Sequence, residues 1–401
     1  MKVILSHVAR HHAYETAFAL QEAGWLHRYY TSFYLEKNPA LLHRLIRKIL
    51  PQSLQKKSSN RYDERLNELL IRSYFFPELL ERTPLRSIVG TYNMMNLKGE
   101  LFDRRVAMQD LECDVFHGFE GAVLYSMRKA KKQGAKTVLD YPIFHFRTVR
   151  EIMVEEYQRF GINPPTYLVK DDINIRRKQQ EIEEADYVLV PTQRIAVDFV
   201  RYGKSPNQVI ATPYGFSPGR FFVKEVEEKR FRILFVGIIG FRKGVYYLLE
   251  AFRQLQLKDA ELILVSPVEE EFKPVLAKYE GLFRYTHSLP NDKLKDVYQS
   301  ASVFVLPSLV EGSAYVTYEA MASGLPVIVS ENAGSVARNG IDGFVVPIRS
   351  VEALKEKILL LYENEKLRRE MGKSAAEHVK QFTWENYRRK LREFYCKNFG
   401  G

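Results

Sequence analysis

The chain has 401 residues, of which 46% are hydrophobic and 27% charged, and a formal net charge of +11. That composition excludes a disordered or fibrous protein, and the length favours two domains over one. The positive excess points to an anionic partner such as a nucleic acid, a sugar nucleotide or an anionic lipid, but no zinc-finger spacing, aromatic RNA-binding signature or basic low-complexity arm accompanies it, which argues against nucleic acid.

In chain order, "KVILSHV" is a short apolar run suited to a buried strand, and "AYETAFALQEAGW" reads as a helix closed by Gly24. In "NPALLHRLIRKILPQSLQKKSSNRY", Asn38 and Pro39 are good helix-start residues. Leu42, Leu45, Ile46, Ile49 and Leu50 fall on one face, His43, Arg44, Arg47 and Lys48 on the other, and Pro51 ends the segment. A basic amphipathic helix of this kind is expected to lie on an anionic membrane surface, the competing reading being a core-facing helix with a solvated basic side. "CDVFHGF", "KTVLDYP" and "ADYVLVPT" follow as strands, then the helical "IAVDFVRYG" and the strand "QVIATPYG".

A second series begins after the turn-rich "PYGFSPGRFF". It runs through "FRILFVGII", the helical "GVYYLLEAFRQL", "AELILVSP", "ASVFVLPS", "LPVIVSE" and "GFVVPI". Strands alternating with helices imply parallel sheets. The expected architecture is α/β, with two Rossmann-like doubly wound domains facing across a cleft. The first spans 1–215 and the second 216–383, and the closing helix in 384–401 returns to the first. Ligands in such sheets bind beyond the carboxyl ends of the strands.

Two acids stand at such an edge. Glu311 follows the strand "VFVLPS", and Glu319 sits inside the helix that begins near Ser313. A carboxylate in apolar surroundings is costly unless something pairs with it, so these are either satisfied structural acids or contacts for a ligand. Arg242 and Lys243, bracketed by Gly237 and Gly244, follow a strand and can point at an anion from the same edge.

"EGSAYVTYE" followed by "AMASGLPVIVS" resembles the E-x7-E region of retaining glycosyltransferases with the GT-B fold, family 4. "FVGIIGFRKGVYYLLEAF" resembles the phosphate-binding segment of that family, and "NGIDGFVVP" and "FTWENY" fit it too. The match covers about 190–390 and is weaker over the first 150 residues. The resemblance implies a retaining transfer of a sugar from a nucleotide-diphosphate sugar, UDP- or GDP-linked, to a hydroxyl of a glycan or lipid-linked acceptor. Arg242 and Lys243 would neutralise the diphosphate. Gly312, Ser313, Ala314 and Tyr315 would bind the donor, with helix-start amides of the last three reaching the distal phosphate and the small residues among them permitting close approach. Glu319 would accept from the ribose hydroxyls and Glu311 would contact the donor sugar. Ile238 stands where many relatives carry arginine, and Arg242 is the candidate to replace it.

In the first half, Arg10, His11 and His12 occupy the place of a Gly-Gly loop, as reach toward phosphate or acceptor or as a polar loop. His117 closes a strand and is expected to face the cleft. Asp140 takes the place of a second family histidine, for which His145 is a compensating candidate. No Asp-x-Asp occurs, and no histidine or cysteine has ligand spacing, so neither a metal nor any other cofactor is expected. Cys113 and Cys396 lie far apart, which fits a reducing compartment. The apolar N-terminal run is too short for a signal peptide, and no run could span a bilayer. The expected location is cytoplasmic, extending to the cytoplasmic membrane face. Competing readings are a sugar-nucleotide epimerase or a phosphorylase of the same fold, and a non-catalytic nucleotide-sugar or nucleic-acid binding protein.

Overall fold

A computed structural model of the chain describes residues 1–10, 12–34, 61–80, 90–170, 172–217, 219, 221–223, 230–287 and 289–400. The basic amphipathic stretch at 38–50 and His11 lie outside the described residues.

Two all-parallel sheets organise the chain. The first has seven strands in the order β3-β2-β1-β4-β5-β6-β7. They are β1 (Val3–His7), β2 (Leu26–Thr31), β3 (Ile71–Ser73), β4 (Val115–Phe119), β5 (Lys136–Asp140), β6 (Tyr187–Val190) and β7 (Val209–Ala211). The second has six in the order β10-β9-β8-β11-β12-β13. They are β8 (Phe231–Val236), β9 (Ala260–Val265), β10 (Phe283–Thr286), β11 (Val303–Leu306), β12 (Val327–Ser330) and β13 (Gly343–Val346). In both sheets the chain starts at the middle, winds to one edge, crosses back and winds to the other. The first strand and the strand after the crossing therefore lie side by side, and ligands bind at that switch point. β1, β4, β11 and β12 are buried on both faces, as the continuous Val/Ile/Leu/Phe runs of a parallel sheet require.

The strands divide between the sheets on either side of the 212–230 connection, but the cores do not divide the same way. Helix Phe146–Arg159 lies in sequence between β5 and β6, yet Met153 and Tyr157 belong to the apolar cluster of the second sheet. The Tyr157 and Phe160 rings sit 5.1 and 4.9 Å from Phe241. Glu156 is buried there against Arg349, whose Nε donates to it at 2.8 Å, and Tyr247, whose hydroxyl donates at 3.0 Å.

The last helix, Trp384–Phe399, packs on the first, Ala13–Glu22. Arg388 bridges Glu15 at 2.7 Å and Glu22 at 3.1 Å. Tyr387, Leu391 and Tyr395 share a core cluster with Val3 and Leu5. Among the described residues no helix is long and apolar enough to cross a membrane.

Candidate functional site

β8 is followed by Gly237 (φ 146°), and the chain turns through Phe241–Lys243 to Gly244 before helix Val245–Leu255 begins. Gly244 has φ 65°, and a Cβ there would come within 2.1 Å of the Pro307 carbonyl oxygen, so only glycine fits both demands. The turn is stitched to the segment after β11, because the Leu309 amide donates to the Arg242 carbonyl at 2.9 Å. That stitch carries Arg242 and Lys243 to Glu311. Arg242 Nη1 donates to Glu311 Oε2 at 2.9 Å, and Lys243 Nζ bonds the same oxygen. Burial works against the Glu311 charge, yet Lys243 and Arg242 hold its pKa below the ordinary carboxylate range. The carboxylate is therefore ionised at neutral pH, and two cations converge at the end of the sheet.

Helix Tyr315–Ala322 starts beside them. Its cap residue, Ala314, offers no side-chain acceptor, and the Ser313 hydroxyl lies 3.2 Å from that of Tyr318. Glu319, half-buried on this helix, accepts from the buried Tyr298 hydroxyl at 3.0 Å, which fixes one carboxylate oxygen. The structure thus gathers Gly237, Arg242, Lys243, Gly244, Glu311, Gly312, Ser313, Ala314, Tyr315 and Glu319 at the carboxyl edge of β8 and β11.

Facing this edge is the end of β5. A Cβ on Gly312 would come within 1.6 Å of the Pro142 carbonyl oxygen, so the two domains meet backbone to backbone at this point. Nearby, Arg194 of the first domain donates to Asn332 at 2.7 Å and pairs with Glu331 at 3.1 Å. Neither contact has a local sequence signature, and sequence reasoning missed both.

The histidines differ from expectation. His117 is not cleft-facing: it sits inside β4, fully buried, with Nδ1 2.8 Å from the Tyr395 hydroxyl of the last helix. The returning helix packs on the face of β4 that carries Val115, His117 and Phe119, and encloses the imidazole. Asp140 lies between two histidines, 2.8 Å from His12 Nε2 and 3.8 Å from His117 Nε2. Burial opposes its charge, but His12 and His117 hold its pKa well below the usual range. His12 is thus a buried partner of Asp140 rather than part of a polar loop.

His145 is buried and caps helix Phe146–Arg159, with Nδ1 accepting from the Arg147 amide at 3.2 Å. Burial, then Arg147, push its pKa down to about 3. A histidine that must stay neutral to fold contributes fully above its unfolded pKa, and that contribution is lost as pH falls toward the folded value. Asparagine caps without titrating. His145→Asn should therefore lose less stability than the parent between pH 8 and pH 5, by about 2 kcal/mol. Denaturant titrations at the two pH values measure this, and equal losses would disprove the role.

Among the described residues no group of His, Cys, Asp or Glu has the geometry of a metal site.

Residues 219–378 match the family model described as Glycosyl transferases group 1. A sulfoquinovosyl transferase of Arabidopsis thaliana is 29% identical over 52% of this chain and 44% of its own length. A D-inositol 3-phosphate glycosyltransferase of Kribbella flavida is 29% identical over 52% of this chain and 55% of its own. The chain spans about half the length of the curated relatives it matches. Among solved structures, a sucrose-phosphate synthase of Thermosynechococcus elongatus aligns over 100% of this chain and 99% of its own, with TM-score 0.67 and 18% identity. Anabaena HepE in complex with UDP-glucose aligns over 99% of this chain and 100% of its own, with TM-score 0.65 and 12% identity. At those identities the likeness is one of fold, and the fold is GT-B.

Proposed function

Since residues 219–378 belong to the glycosyl transferases group 1 and the whole chain takes the GT-B fold, we propose that the protein transfers a sugar, with retention, from a nucleotide-diphosphate sugar to a hydroxyl acceptor. The observation that carries this reading is the convergence of Arg242, Lys243 and an uncapped helix start on one sheet edge, with Glu311 and Glu319 at either side. A leaving diphosphate develops negative charge, and fixed cations and amides aimed at it lower the barrier. Arg242 and Lys243 carry that load, and their bonds to Glu311 hold them in place before the donor arrives. Glu319, steadied by Tyr298, is an acceptor-only group suited to vicinal ribose hydroxyls. HepE was solved with UDP and with UDP-glucose, which supports a nucleotide-sugar donor.

The acceptor hydroxyl approaches from the first domain on the face of the leaving group, and the leaving phosphate oxygen takes its proton. Cationic side chains stand where a divalent ion would otherwise neutralise the diphosphate, so the reaction is metal-independent. A thermal-shift panel of nucleotide sugars, followed by nucleotide-release assays with and without EDTA, tests the reading. Stabilisation by at least one donor and EDTA-insensitive turnover are expected. No stabilised donor overturns the function, and turnover restored only by magnesium or manganese overturns the metal-independence.

The Gly312–Pro142 approach gives a sharper expectation. Gly312→Ala places a methyl group into the Pro142 carbonyl and holds the two domains apart. Turnover should fall roughly a hundredfold, because a displacement of about 1 Å between reacting partners costs that much. Nucleotide diphosphate affinity should fall far less than turnover, because Arg242, Lys243 and Glu319 are untouched. Parent-like turnover would show that the contact does not set the reacting geometry.

A further inference from the structure

A cavity of about 610 Å³ lies where both chain crossings between the domains run side by side. The Phe216 amide donates to the Phe382 carbonyl at 2.9 Å, and a Cβ on Gly215 would come within 2.3 Å of the Trp384 amide nitrogen. The buried rings of Tyr14 and Phe216 and the half-buried indole of Trp384 give it apolar surface. Its polar wall is a fixed chain of forks. Arg65 donates to Asp63 at 2.9 and 2.6 Å and to Glu15 at 2.6 Å, and Arg388 donates to the same Glu15 at 2.7 Å.

The lining carries three arginines, Arg10, Arg65 and Arg388, and three carboxylates, Glu15, Asp63 and Glu385. Their formal charges cancel, so the wall has no net charge with which to hold an anion. It offers rigid donors and acceptors beside aromatic faces, in a volume typical of small-molecule sites. The ligand matched to that surface is neutral, rich in hydroxyls, and has an apolar C–H face. The cavity also adjoins the candidate donor site, because the Trp384 ring lies 6.1 Å from that of Tyr315, the first residue of the helix beside Glu311.

We propose that this cavity binds a neutral sugar ring, and that it seats the glycan part of the acceptor. The second clause rests on the glycosyltransferase reading, whereas the first does not. The chain has two tryptophans, Trp25 and Trp384. In the full-length Trp25→Phe variant, Trp384 is the sole indole and reports directly on the cavity. Methyl α-D-glucopyranoside, methyl α-D-galactopyranoside, methyl α-D-mannopyranoside, maltose and, separately, inorganic phosphate are titrated while emission is recorded.

At least one of the sugars should give a saturable change, and phosphate none. Ser217→Phe, at an exposed lining position, should weaken that response by about tenfold or more by filling the space. A saturable response to phosphate alone, silence toward every sugar, or a sugar response untouched by Ser217→Phe would each overturn the proposal. Thermal shifts with a panel of UDP- and GDP-sugars on the same variants separate the two readings. Sugar binding without binding of any nucleotide sugar supports the cavity and removes the transferase role. Nucleotide-sugar binding with a silent Trp384 overturns the cavity alone.

Discussion

Lys243→Met combined with Arg242→Ala should abolish glycosyl transfer. Each removes a cation from the place where the leaving diphosphate gathers charge, and loss of one such preorganised donor costs roughly 10²–10³ in turnover. The structure adds a complication. Both cations bond a single oxygen of Glu311, so their removal strands a carboxylate in the site without a cation. The double variant should therefore be compared with one that also carries Glu311→Gln, which relieves that penalty. Recovery of stability without recovery of turnover is the expected pattern. Calorimetry should show weakened nucleotide diphosphate binding in both. Unchanged affinity and turnover in either would remove the basic pair from the site.

Glu156→Ala should produce the largest loss of stability. The carboxylate is 1% exposed and receives bonds from Arg349 and both-sided contact from the Tyr247 hydroxyl. Burial pushes its pKa up, while Arg349 and Tyr247 pull it back. Breaking one side of a buried pair leaves the other uncompensated, at a cost of about 3–5 kcal/mol. The lower end is expected here, because Arg349 keeps Glu155 at 2.8 Å and the Ile152 carbonyl at 2.7 Å. Glu156→Gln retains an acceptor for Tyr247 and should lose less. Equilibrium unfolding in denaturant measures both, and a loss within about 0.5 kcal/mol for the alanine variant would rule out the pair as a structural lock.

The placement of the basic turn and of the two acids at strand ends was legible because the sequence signals are local. A strand, a glycine turn and a helix start fall within a few residues around Arg242 and Lys243, a strand and a helix start do so around Glu311 and Glu319, and the parallel pairing of β8 with β11 sets the two edges side by side. The long apolar strands were equally plain. β2, β3 and β10 were not, because "LHRYYT", "IRS" and "FRYT" interrupt their apolar residues with polar ones and two of them are short edge strands. The histidines of the first domain were misread for a different reason. His117 reads as the end of an apolar run, but the strand continues to Phe119 and its face is covered by a helix that begins at Trp384. Glu156 meets Arg349 across 193 residues, and no periodicity announces such a partner.

The helix Phe146–Arg159 bears on how the protein is made. Phe146 at its start packs in the core of the first sheet, but Met153 and Tyr157 complete the core of the second, although they are translated before any strand of that sheet exists. On a ribosome the first sheet emerges with this helix lacking the surface it will cover. Met153 and Tyr157 then stay exposed until β8 and the helix after it have been synthesised. A fragment starting near residue 219 would face the opposite shortage: Phe241 without Tyr157 and Phe160, and Arg349 without Glu156. The two sheets are separable on paper, yet neither half is a self-sufficient folding unit. Cutting the chain between them should yield two sticky pieces that recover solubility only when refolded together.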